Sequence, residues 1–78
     1  MITIKILGCG TVPCQKLLQI TQNVIDIMRI DAEIIQLVNY DEITAYPILE
    51  TPGLVIDEIL VSSGRVPNYK EIKGWLSY

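Results

Sequence analysis

Seventy-eight residues, half of them hydrophobic and 19% charged, with a net charge of −3, are expected to form a single domain spanning 1–78 and not a disordered segment. The acidic balance provides no basic footprint for nucleic acid. No apolar run reaches the roughly 18 residues of a membrane span, and the first residues lack the charged-then-apolar pattern of a secretory signal, so a cytoplasmic chain with no membrane partner is expected. Two cysteines are too few for a secreted disulfide framework, and with no histidine a structural zinc site lacks ligands, which leaves neither a metal nor a cofactor to expect.

Ile2, Ile4 and Ile6 alternate with Thr3 and Lys5, the period-two signature of a strand that ends at Gly8. From Cys14 onward, Leu17, Leu18, Thr21, Val24, Ile25 and Met28 recur at steps of three and four, which predicts a helix of about four turns with one face inward. Thr11 is placed to cap it by accepting a hydrogen bond from the Cys14 amide, and Pro13 in the first turn lacks an N–H that would be unpaired anyway. Ala32 to Val38 predicts a second strand, nearly continuous in apolar character as though helices covered both faces of the sheet, and the strand–helix–strand spacing implies a right-handed parallel crossover. Asn39 or Asp41 can cap a short helix over Tyr40 to Tyr46 before Pro47 ends it.

Leu54–Ile56 and Ile59–Ser62 predict an antiparallel hairpin whose Asp57-Glu58 turn has no glycine. Either the loop is longer, or an acidic residue takes a strained angle. Tyr69, Ile72, Trp75 and Leu76 predict a last amphipathic helix. The order is βαβαββα, an α/β chain.

Between the first strand and the first helix lies Gly8-Cys9-Gly10-Thr11-Val12-Pro13-Cys14, which holds both cysteines. A thiol at the start of a helix feels unpaired N–H groups and the positive end of the helix dipole, which favour thiolate. Cys14 also continues the apolar stripe, which favours reading it as a small core residue. Asp41-Glu42 and Asp57-Glu58 read as solvated surface pairs, Arg65 as a surface or helix-entry charge, and Tyr69, Trp75 and Tyr78 as packing and helix-end residues.

The element order, the cysteine-bearing loop and the Thr51-Pro52 before the third strand together resemble the thioredoxin fold, a mixed four-stranded sheet flanked by helices. Further residues make the chain similar to the small redox-active disulfide proteins, a glutaredoxin-like family of archaea and bacteria: Gly8, Gly10 and Cys14-Gln15; Ile30-Asp31-Ala32-Glu33; Thr51-Pro52-Gly53-Leu54-Val55-Ile56-Asp57; and Ser63-Gly64-Arg65-Val66-Pro67. The resemblance implies that Pro52 is cis and shapes the site, and that the backbone of Thr51 pairs with an extended substrate. It also implies a departure. Where the family carries Cys-x-x-Cys, the register places Thr11 at the first cysteine and keeps only Cys14. With no histidine base, the Thr11 hydroxyl is a cap and a lining group, not a nucleophile.

On this resemblance the expected function is thiol-disulfide exchange, with Cys9 and Cys14 as a displaced redox pair and with Thr11, Thr51 and Pro52 lining the substrate's path. The partner is a protein or a small thiol or disulfide. A disulfide across the Cys-x4-Cys spacing needs Cα atoms roughly 4.4–6.8 Å apart, and closing so short a loop stabilises by only about 2 kcal/mol. The alternative is a non-catalytic module that has lost its attacking cysteine and holds a peptide along the Thr51-Pro52 edge. A weaker alternative, soft-metal binding by two thiolates, needs ligands from a second chain.

Overall fold

The computed structural model describes residues 1–8 and 10–77. Its elements are β1 (Ile2–Leu7), α1 (Val12–Met28), β2 (Ala32–Leu37), α2 (Tyr40–Thr44), β3 (Gly53–Ile56), β4 (Ile59–Ser63) and α3 (Tyr69–Leu76). The strands form one sheet in the order β2-β1-β3-β4. β1 runs parallel to β2, with Ile4 opposite Ile34, and antiparallel to β3, with Ile6 opposite Leu54. This is the mixed four-stranded sheet with flanking helices that the resemblance implied.

Strand alternation sorts the side chains of β1 and β3 between two layers. Ile4, Ile6, Leu54 and Ile56 face α1 and α3, where Leu17, Val24, Ile25, Ile72 and Leu76 complete the main core. Leu7 and Val55 face the opposite way, with Leu37 of β2, and are covered by Ile43, Tyr46 and Ile48 of α2 and the stretch that follows it. β2 is an edge strand and, apart from Leu37, is half-buried or exposed along its length. Its apolar run thus reflects contact with a thin cover on each side, not the burial of a central strand.

Several boundaries shift for identifiable reasons. β2 stops at Leu37, whose carbonyl accepts from the Gly8 N–H at 2.9 Å, and Val38 is exposed. α2 is capped by Asn39, whose side chain accepts from the Asp41 N–H at 2.9 Å, and ends at Thr44 with no buried residue to extend it. β4 runs one residue further than expected, to Ser63, past a register shift beside Leu54/Val55. The tight hairpin turn exists without glycine: both Asp57 and Glu58 take positive φ, 47° and 69°, the pair of left-handed residues that a two-residue turn of this hand requires. Asp57 is further fixed because its carboxylate accepts from the Thr3 N–H at 2.9 Å while its own N–H donates to the Thr3 carbonyl at 2.8 Å.

α3 opens on a capping box. Asn68 accepts from the Glu71 N–H at 2.9 Å, and Glu71 accepts in return from the Asn68 N–H. Arg65 forks onto the same Glu71 carboxylate, so it braces the helix entrance. Tyr69 and Trp75 pack half-buried against the main core; Tyr78 lies outside the described residues. No helix among the described residues is long and apolar enough to cross a membrane.

Candidate functional site

The site is built at the sheet end where β1 and β2 finish. Gly8 leaves β1 with φ +86°, a conformation that side chains resist, and a Cβ built on it would sit 2.5 Å from the Cβ of Thr51. Only glycine lets the strand end and the Thr51 segment come this close. The Thr51-Pro52 bond is cis, and Pro52 is buried while Thr51 is exposed. The Pro52 carbonyl accepts from the Gly64 N–H at 3.0 Å, which ties this corner to the end of β4. Gly53 makes a second close approach, since a Cβ there would overlap Cδ1 of Ile48. Among the described residues no hydrogen bond engages the N–H or C=O of Thr51. That leaves a short exposed length of backbone with a donor and an acceptor unused.

Thr11 caps α1 as the sequence indicated, its hydroxyl accepting from the Cys14 N–H at 3.3 Å. It is exposed, as are Val12 and Pro13 of the first turn. Cys14 follows in the same turn and is 1% exposed, packed in the main core with Ile6, Leu17 and Leu54. Its sulfur therefore belongs to the dry side of the helix entrance. Cys9, the other expected thiol, lies outside the described residues; in the chain it directly follows Gly8, the residue in contact with Thr51. The structure thus gathers Gly8, Thr51 and Pro52 at one corner and sets Thr11 and Cys14 together at the start of α1. Among the described residues no group of three or more histidine, cysteine, aspartate or glutamate side chains is arranged to hold a metal ion.

Two features, one at this corner and one further along the same face of the sheet, carried no sequence signal. The first is a cleft of about 530 Å³ lined by Tyr40, Ile43, Ile48, Leu49, Glu50 and Thr51, open to solvent beside the Thr51 backbone. The second is a polar cluster on the α2 side of the sheet. Lys5 Nζ donates to Tyr46 Oη at 2.8 Å and to Glu58, and Tyr46 Oη donates to Glu58 Oε2 at 3.1 Å. The Glu58 carboxylate, then Tyr46, raise the Lys5 pKa, and Lys5 in turn lowers that of Glu58. Tyr46 lies between α2 and Thr51, so this cluster ties the segment leading to the site to β1 and to the β3–β4 turn. The partners are 41 and 53 residues apart in sequence, which is why no local pattern showed them.

Comparison with known proteins agrees with this architecture. Residues 2–77 match the family model described as a thioredoxin domain. A curated relative, a thioredoxin of Methanocaldococcus jannaschii, is 32% identical over 73 residues, covering 94% of this chain and 84% of the relative. With the match running through every strand and helix of the fold, the chain belongs to the thioredoxin domain family.

Proposed function

We propose that this protein carries out thiol-disulfide exchange of thioredoxin type, as one domain acting in the cytoplasm, with Cys9 and Cys14 as its redox pair. The observation that carries the reading is Cys14 at the capped entrance of α1, at the end of the sheet where the Thr51-Pro52 corner packs against Gly8. The family relationship and the name of the relative support it. So does the unused backbone of Thr51, which offers an extended partner a donor and an acceptor.

In this reading the Cys9 thiolate attacks one sulfur of a partner disulfide, and the partner's other sulfur leaves as a thiolate and takes up a proton. Cys14 then gives up its proton and attacks Cys9 within the mixed disulfide, which releases the second partner thiol. Two electrons and two protons pass to the partner, and the chain is left with a Cys9–Cys14 disulfide until a dithiol donor reduces it. Thr11 orders the helix entrance and lines the partner's path, and Thr51 and Pro52 hold the partner's backbone. The finer kinship with glutaredoxin-like redox-active disulfide proteins, with Thr11 in place of a first cysteine, belongs to this same reading. The partner is a protein or a small thiol or disulfide. Trapping decides it: Cys14→Ser should accumulate a mixed disulfide through Cys9, whereas unchanged exchange in Cys9→Ser would refute the assignment.

A second reading has a specific observation in its favour. With 1% exposure, Cys14 is sealed from reagents in water, as it would be in a non-catalytic module that holds a peptide along the Thr51-Pro52 edge. A partner that binds equally well with and without its own cysteines, and is never reduced, would select that reading.

A further inference from the structure

The cleft beside Thr51 is apolar in its floor and acidic in its charge. Leu49 is 96% exposed and Tyr40 77% exposed, and both line this one cleft, so two large apolar side chains are presented to whatever enters it. Among the described residues the one charged group lining the cleft is Glu50, and no cation lines it. Asp41 follows Tyr40 in the first turn of α2, whereas Glu42 turns to the second cleft, which it lines with Lys5. The charges of Glu50 and Asp41 select among occupants. A second copy related by a twofold axis would bring two such acidic rims together. A small anionic thiol or an anionic membrane surface meets the same repulsion. A polypeptide with an aliphatic side chain and a neighbouring cation fits both the floor and the rim.

We propose that this cleft is a specificity pocket for an extended segment of a partner protein carrying a large aliphatic side chain and, close to it, a lysine or arginine. The inference rests on the reading of Thr51 as the edge where a partner's backbone pairs, and it narrows the partner from any disulfide to an apolar, basic polypeptide. In an extended chain every second side chain returns to the same side, about 7 Å along. A segment paired at Thr51 therefore carries its neighbouring side chains over Leu49 and Tyr40 while its backbone stays on the edge.

The test uses the full reduced chain, isotopically labelled, titrated with short peptides in which serine replaces the reactive cysteine, so that binding is read without any exchange. One peptide carries leucine and lysine within four residues of that serine; a second replaces the leucine with serine, and a third the lysine with glutamate. The first should bind about tenfold tighter than either of the others, with amide shifts concentrated at Tyr40, Ile43 and Leu49 to Thr51. Leu49→Ser should weaken it about tenfold and Glu50→Gln about threefold; both side chains are exposed, so the spectra of the variants should show the fold retained. Equal affinity for the three peptides, shifts elsewhere on the surface, or concentration-dependent self-association abolished by Leu49→Ser would overturn the proposal. Loss of exchange activity with this binding pattern intact would defeat the redox reading and leave the pocket standing.

Discussion

The two faces of the sheet are built to opposite standards. On one, α1 and α3 seal Ile4, Ile6, Leu54 and Ile56 from water, and Cys14 is packed among them. On the other, the five-residue α2 and the stretch after it also bury Leu7, Leu37 and Val55, but with a thin cover whose own side chains, Ile43, Tyr46 and Ile48, are only partly buried, and with a charged lysine brought in and held by Tyr46 and Glu58. That side keeps two clefts, of about 530 and 400 Å³. The contrast separates tasks. A resolving sulfur needs a dry, stiff seat, and a partner needs open surface beside an unpaired edge. The Thr51 corner is where the two faces meet.

Substitutions that probe each face should show this difference as unequal losses. Leu17→Ala, in the sealed layer, should cost about 3 kcal/mol in chemical denaturation, whereas Ile43→Ala on the open side should cost about 1 kcal/mol. A similar loss for both would erase the distinction. Gly8→Ala should destabilise by about 2 kcal/mol, because the new Cβ has no room against Thr51 and the backbone angle is left-handed. It should also weaken partner binding, because Thr51 must move. Asn68→Ala, which removes one half of the capping box on α3, should cost about 1 kcal/mol.

The smallest expected effect is electrostatic. Glu58 is held below its ordinary value of 4.5 by Lys5, so the pair's contribution is complete above that value and is lost as pH falls through the lowered one. Lys5 is raised above 10.5, so the same contribution lasts through ordinary alkaline pH and fades only as the raised value is passed. Both groups meet solvent, and salt should shrink the effect. Glu58→Gln should flatten the acid limb of stability against pH; an unchanged limb would remove the cluster from the account.

What the sequence made legible was local. The alternation of β1, the stripe from Cys14 to Met28 and the Thr11 cap are each contained within a few residues, and each stands close to where the pattern placed it. The Asp57-Glu58 turn was reduced to two options, and the strained one is present, made tolerable by the anchoring of Asp57 to Thr3. The capping box on α3 was not read from the sequence although it is equally local, since Asn68-x-x-Glu71 carries the spacing in four consecutive residues. The rest joins residues distant in sequence. Lys5 looked like an outward strand residue until Tyr46 and Glu58 closed on it, and Gly8 looked like a plain strand stop until Thr51 packed against it. The cleft has no motif, since Tyr40, Leu49 and Glu50 come together only through the path of the chain around Pro47.

The most direct test of the central claim is the state of the two cysteines after titration with a buffered dithiol/disulfide couple, read by acid quenching, unfolding, thiol alkylation and intact mass, so that the buried Cys14 is counted with Cys9. The account predicts a single two-electron transition in which both cysteines lose their reactivity together and the mass falls by two hydrogens. Alkylation of both thiols at every potential would contradict it.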